Sequence, residues 1–383
     1  MALQDATEVL LGGPVGRAIV VRQVEVGDAK VEGAADDRPL RLDRPVAAKV
    51  LPQAQRDGRQ QQAAATCATV GHSGVTVAVL HHVHSSDMVV VCGEAIIDRL
   101  PAADSAGGGP FNTARALARL GVPTQFLGRL STDVYGRQLR DLLAADGADL
   151  SLTSFGPEST TLAIANVGSE GHAAYRFLID GTSAPNLTPQ MLPASLAPNV
   201  KALHVGTLGL VFEPVATTIA GLVEREHGNV LVMVDPNIRP SAVPNRSRLG
   251  RIIAQSTIVK ASDADVTWLY PGLDLKSAAR TLLARGPQLV VVTLGADGAL
   301  GVSADTEVRV AAPSVDVVDT IGAGDAFGAA LLAWLSDHDR LDRDLHLDRD
   351  QLRAALEFAC LVASVTCTRA GANPPWRTEL VRV

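Results

Sequence analysis

The sequence predicts an α/β protein with a mostly parallel central sheet covered by helices, and three observations predict it. Unbroken apolar runs of strand length recur: Met88-Val-Val-Val-Cys, Ala202-Leu-His-Val, Val230-Leu-Val-Met-Val, Thr257-Ile-Val and Leu289-Val-Val-Val-Thr-Leu. Strands of this kind are buried on both faces, as in parallel sheets. Segments of helical period lie between them, at Val215–Glu226 and at 276–285, so strands and helices alternate. Near the end, a strand at 315–318 runs through a glycine turn into an apolar helix. In that helix Phe327, Ala330, Leu331, Trp334 and Leu335 share one face.

These signals begin at Met88. All 13 aromatic residues lie beyond it, and residues 1–87 contain none. That stretch also carries an Arg/Gln/Ala run at 53–65, scattered prolines and no sustained period. It is expected to be a disordered extension or sequence upstream of a true start at Met88, with a small extra domain as the alternative. His81, His82 and His84 are a candidate metal cluster there, set against the plainer expectation of a solvated tail.

Residues 88–383 are expected to form one domain. Within it, Thr161-Leu-Ala-Ile-Ala-Asn-Val, Gly168-Ser-Glu-Gly and His172-Ala-Ala-Tyr-Arg-Phe-Leu read as two strands joined by a tight turn. Such an inserted hairpin near 160–180 is either a small lid or a plain edge hairpin.

Composition removes several classes. With 47% hydrophobic residues, disorder throughout is excluded. A net charge of −7, from 34 basic and 41 acidic residues, argues against nucleic-acid or membrane-surface partners. No apolar run approaches the roughly 20 residues that span a bilayer. Cys67, Cys92, Cys360 and Cys367 form no CxxC pair, so a reducing, cytoplasmic compartment is expected.

The richest segment is Asp319-Thr-Ile-Gly322-Ala-Gly324-Asp325. Gly322 and Gly324 let the backbone turn sharply and approach a ligand closely. The amides of Gly322, Ala323 and Gly324 then face outward at a helix N-terminus, where negative charge is favoured. Asp325, in the first helical turn, is placed to act as a base. An alcohol beside both features has the geometry of phosphoryl transfer, and no GxxxxGK[ST] loop occurs in the chain. An isolated GxGD would instead read as an ordinary capped turn.

Other segments carry polar groups at loop and strand ends. Gly107-Gly108-Gly-Pro-Phe-Asn112 opens an amphipathic helix, and Asn112 offers a donor and an acceptor to hydroxyl groups. Gly93-Glu-Ala-Ile-Ile-Asp98 follows the first strand, and a carboxylate at Asp98 can accept from two adjacent hydroxyls. Asp235-Pro-Asn-Ile-Arg239 closes a buried strand, where α/β folds place ligands. Thr293-Leu-Gly295-Ala-Asp-Gly298 ends another strand, either as a close-approach loop or as a hairpin turn. Arg176 on the 161–178 hairpin is either a ligand contact or a solvated strand residue.

Taken together and in this order, these motifs resemble the ribokinase-like, PfkB-type carbohydrate kinases across residues 88–383. The resemblance implies a three-layer α/β/α sandwich with a mostly parallel central sheet and a small β-sheet lid. It implies ATP-dependent phosphorylation of a sugar hydroxyl, with Asp325 as the catalytic base and Gly322, Ala323 and Gly324 as an anion hole. Asp98, Gly107, Gly108, Asn112, Arg176 and Arg239 would hold the sugar, and Thr293, Gly295, Gly298 and Gly324 the ATP. Mg2+ would act with ATP, with Asp265 of Lys260-Ala-Ser-Asp-Ala-Asp265 reaching it through water. Ser262 and Asp265 there replace the Asn and Glu of the family pattern.

A monovalent cation such as K+ would sit near Asp319, Ile321 and the 368–373 loop, and a homodimer would form through the lid. GGGPFN and DPNIR point to fructose as acceptor, although Phe111 departs from the small residue usual in fructokinases. Ketodeoxygluconate, ribose and nucleosides stay open, as does a non-catalytic sugar-binding protein on the same fold. A dinucleotide-dependent dehydrogenase lacks its GxGxxG here.

Overall fold

The computed structural model describes residues 87–99, 104–167, 173–239 and 242–382, together with four short strands in the first 80 residues. Contacts divide the chain into two units, 1–84 and 85–383. In the first unit, Leu10–Gly12 pairs antiparallel with Ala18–Val20, and Ala65–Val70 with Val75–Leu80. The rest of the expected extension, including the histidines at 81, 82 and 84, lies outside the described residues.

The second unit opens with β1 (Met88–Cys92), β2 (Ile96–Arg99), β3 (Asp104–Gly107) and α1 (Gly109–Arg119). Then come β4 (Thr124–Leu127), α2 (Val134–Asp146), β5 (Leu162–Val167) and β6 (Ala173–Leu178). Next are β7 (Val200–Gly206), α3 (Val215–Glu226), β8 (Leu231–Asp235) and α4 (Arg246–Ala254). β9 (Ile258–Ser262), α5 (Asp263–Leu269), α6 (Leu275–Leu283) and β10 (Leu289–Thr293) follow. β11 (Ala299–Ser303), β12 (Glu307–Val310), α7 (Ala323–Asp337) and α8 (Arg349–Cys367) come last, and the short segments Arg129–Ser131 and Ser154–Gly156 form a separate parallel pair.

The main sheet has the order β12-β11-β10-β9-β8-β7-β1-β4. From β10 to β4 every pairing is parallel; β11 and β12 add an antiparallel edge. All five residues of β8 are buried, which explains its continuous apolar run. One face of the sheet packs a core with α1, α7 and α8, represented by Met233, Phe111, Leu331 and Leu356. The other packs α3, α4 and α6 through Val232, Ile219, Ile252 and Leu282. The result is the expected three-layer sandwich.

A second sheet of four strands, β6-β5-β2-β3, makes the lid. The predicted hairpin is its outer pair, in register from Leu162 opposite Leu178 to Val167 opposite Ala173. Ile96, Ala163 and Leu208 seat it on the domain. No helix among the described residues is long and apolar enough to cross a membrane.

Helix starts differ in a way that matters for function. Asp133, Asn245, Ser262, Asp274 and Asp348 cap α2, α4, α5, α6 and α8 with side-chain oxygens, which satisfies amides left over at a helix start. Helix α7 begins instead at Gly322, with φ of 77° and no side-chain cap. Helices α1 and α3 likewise start without a side-chain cap, at Gly108 and Pro214. Of these three first turns, that of α7 alone carries an acidic residue, Asp325, beside leftover donors and the positive end of the dipole.

Candidate active site

Asp325 sits in that uncapped first turn and is 8% exposed. Asn112, in the first turn of α1, donates from Nδ2 to Asp325 Oδ2 at 2.9 Å. The other carboxylate oxygen, Oδ1, would lie 3.3 Å from a Cβ at Gly109. The base expected from one end of the sequence and the glycine loop expected from the other therefore meet. Asn112 Oδ1 is buried without a partner, an acceptor still open beside the base.

Burial pushes the Asp325 carboxyl up to about 6. The bond from Asn112 pulls it back, the Asp235 charge adds to the rise, and Lys260 and Arg239 oppose it. A raised value keeps the proton on as the medium turns acid, so the basic form disappears as pH falls through about 6. Activity that needs this base is expected to fall to half near pH 6 on its acid side, measured as kcat/KM against pH. In Asp325→Asn that limb should vanish from whatever activity remains.

The turn itself is half-buried from Ile321 to Gly324. Gly322 is needed for its left-handed φ, and a Cβ there would also press on Ala372 Cβ at 2.7 Å. The Ala323 amide turns back toward Thr320 O at a long 3.3 Å. Asp319 organises the approach: Oδ1 accepts from Ile321 N at 3.0 Å and Oδ2 from Gly371 N at 2.9 Å. The expected neighbourhood of Asp319, Ile321 and the 368–373 loop is thus formed. The Asp319 carboxylate is spent on amides there.

On the acceptor side, the Arg239 charge acts on both Asp98 and the base. The Asp98 carboxyl is pushed up by burial to about 6, partly offset by the Arg239 charge, which Asp325 also senses. Gly107 gives Asp98 its room, since a Cβ there would lie 2.1 Å from Asp98 Oδ2. At Gly108 a Cβ would lie 2.8 Å from Glu94 O. These two glycines admit the protein's own atoms as closely as any sugar.

Arg176 stands apart. Asp98 pairs with Ala163 and Ala163 with Phe177, whereas Arg99, Ile164 and Arg176 form the neighbouring row. Paired residues share a face and adjacent rows alternate. Ala163 is fully buried and Arg176 exposed, so Arg176 points away from the face that carries Asp98. The expectation that both hold one sugar within one chain is corrected by this register.

Asp265 also does a different job from the one expected. Its Oδ1 accepts from Ile238 N at 2.7 Å, and its Oδ2 accepts from Ser262 N at 2.8 Å and Ser262 Oγ at 2.7 Å. It ties the 235–239 loop to the start of α5, with both oxygens engaged. No cluster of three His, Cys, Asp or Glu suited to a metal occurs among the described residues.

At the nucleotide end, Thr293 closes β10 and is half-buried. A Cβ on Gly295 would meet nothing within 4 Å, so this backbone is open to an approaching group. Gly298 is closed, with Val310 O 2.0 Å from its would-be Cβ. Leu294 N bonds to Gly298 O at 2.8 Å, and β10 pairs antiparallel with β11. The hairpin reading therefore accounts for Gly298.

Three groups at the site were not foreseen. Glu94 is buried and accepts from Gly109 N at 3.2 Å and Gly209 N at 3.0 Å, holding the start of α1 to the turn after β7. Desolvation lifts its carboxyl to about 8, against the pull of its backbone donors. Lys260 pairs with Asp235 Oδ2 at 2.8 Å beneath α7. Further along α1, Arg115 and Arg119 share Asp146, at 2.6 and 2.8 Å. Arg115 also donates to Ala372 O at 3.3 Å, and Arg119 to Asn373 Oδ1 and Pro374 O at 2.7 Å each. One helix thus carries the bond to the base and fastens the loop behind Gly322.

Residues 87–379 match the family described as pfkB family carbohydrate kinase. A fructokinase of Rhizobium leguminosarum bv. trifolii is 39% identical over 261 residues, covering 65% of this chain and 79% of that one. The fold is shared with fructokinase from Vibrio cholerae O395 bound to fructose, ADP and calcium (TM-score 0.69, 25% identity, 78% of this chain and 98% of that chain). It is shared as well with aminoimidazole riboside kinase from Salmonella enterica, complexed with aminoimidazole riboside and an ATP analogue. That match has a TM-score of 0.68 and 28% identity, over 77% of this chain and 99% of the other. Sheet order, lid, uncapped glycine turn and these likenesses agree: the chain belongs to the pfkB family of carbohydrate kinases.

Proposed function

We propose that this sugar kinase phosphorylates fructose with ATP, using Asp325 as the base. The observation that carries the reading is the juxtaposition at α7. A carboxylate held by Asn112 on one oxygen leaves the other beside Gly109, next to an uncapped helix start suited to a phosphoryl group. The acceptor hydroxyl would give its proton to Asp325 as its oxygen attacks the γ-phosphorus in line. The amides of the turn would stabilise charge on the transferring group. Asp98, Asn112 and Arg239, over the floor of Gly107 and Gly108, would orient the sugar. Thr293, Gly295 and Gly324 would border the nucleotide, with Gly298 shaping that loop.

Magnesium would neutralise the nucleotide phosphates. It keeps most of its waters and binds largely through phosphates, which suits a site without a protein cage. Potassium would lie on the carbonyls around the 319–321 and 368–373 segments. The outward face of the lid that carries Arg176 is where we place a homodimer contact. The free thiols Cys92, Cys360 and Cys367 support a reducing, cytoplasmic setting.

ADP release with a panel of fructose, ribose, ketodeoxygluconate and nucleosides tests the acceptor. Fructose is expected to give the highest kcat/KM; a preference for a nucleoside, in line with the riboside kinase likeness, would replace it. Removal of residues 1–87 is expected to leave turnover and melting temperature unchanged, because every group invoked here lies beyond them. A large drop in either would give that segment a structural role.

A further inference from the structure

A buried ammonium stands under the glycine turn, and the reading above gives it no role. Lys260 lies on β9 and is 4% exposed. Its Nζ donates to Asp235 Oδ2 at 2.8 Å, which uses one of three N–H donors. A Cβ on Gly324 would lie 3.0 Å from that Nζ. The ammonium therefore occupies the space where a side chain would project from the second residue of α7. The Asp235 carboxylate is itself unsaturated, since its Oδ1 is buried with no partner.

Burial draws the ammonium toward losing its proton, but Asp235, with Asp325 and Asp265 in support, more than offsets this and keeps it charged. A buried ion pair is a poor source of stability, because apolar residues of similar volume often do as well or better. Packing alone gives little reason to set a charged pair here, with donors and an acceptor unspent. The neighbouring turn is where a phosphoryl group would bring negative charge.

We propose that Lys260 contacts the transferring phosphoryl group, reaching past Gly324 to oxygens held by the turn, as the fixed cation of an enzyme without a P-loop lysine. In the step, the bond from the acceptor oxygen to the γ-phosphorus forms and the bond from that phosphorus to the leaving ADP oxygen breaks. The hydroxyl proton passes to Asp325, and Lys260 keeps its own protons throughout. The inference rests on the kinase reading.

The test separates charge balance from catalysis. Lys260→Met alone leaves Asp235 buried and unpaired, so it should both melt earlier and turn over slowly. The double variant Lys260→Met/Asp235→Asn removes both charges and should regain most of the melting temperature. Its kcat should stay about 10²–10³-fold below wild type, the usual loss for one donor to a developing oxyanion. Recovery of kcat together with melting temperature in the double variant would overturn the proposal. ATP affinity by calorimetry, without any sugar, gives a second reading: the double variant should bind more weakly, and unchanged affinity counts against the contact. Absence of sugar turnover in the wild type would refute the kinase reading instead, and the ATP comparison would still decide the role of Lys260.

Discussion

Asp325→Asn is expected to lower kcat about 10²–10⁴-fold, the range that a positioned general base contributes. The substitution keeps size and shape, so the buried site at the start of α7 still closes. An amide can present its oxygen to Asn112 Nδ2, preserving the bond that now spans 213 residues of chain. That orientation turns an NH2 group toward Gly109, where the carboxylate offered a lone pair, and no proton can be taken there. Calorimetry should still detect the sugar. Turnover within about tenfold of wild type would remove Asp325 from its role, since a loss of that size is no more than a modest change in transition-state stabilisation.

Asp146→Ala is expected to cost about 3–5 kcal/mol of stability, as loss of one partner from a buried ion pair does. Arg115 is 6% exposed, and burial draws its guanidinium below its ordinary value while the Asp146 charge resists. With the carboxylate gone, two guanidinium groups face each other without a counter-charge. The damage should reach the active site as well. Ala372 backs Gly322, and its carbonyl is held by Arg115, so kcat should fall along with the urea midpoint. A variant that loses stability while kcat holds would show the loop keeps its place without the arginines.

Much of the fold was legible because buried parallel strands write themselves as apolar runs. Leu231–Asp235 and Leu289–Thr293 lie where the sequence puts them. The turn at 319–325 was legible too, since its glycines and acids are contiguous. Groups paired across long stretches of chain were not. Arg115 with Ala372, and Glu94 with Gly209, are separated by 257 and 115 residues, and no local period links them. Lys260 left one usable sign: a lysine inside an apolar strand is buried, and a buried lysine needs a partner. Arg176 left another, for its neighbour Phe177 takes the inward row and alternation then sends Arg176 outward. Asp265 followed a capping rule, Ser-x-x-Asp at a helix start, which competed with the metal reading and won.

The arginine clamp also bears on how the protein is made. Helix Gly109–Arg119 leaves the ribosome early, whereas Ala372 and Pro374 are translated about 255 residues later. At roughly 5–20 residues per second that is a delay on the order of 13–50 s. Until then, of the partners named here only Asp146, 31 and 27 residues away, has been made for the two arginines. The wall behind Gly322 is complete only once residues 372–374 have been made, and a polypeptide cut short before residue 372 would carry the base without it.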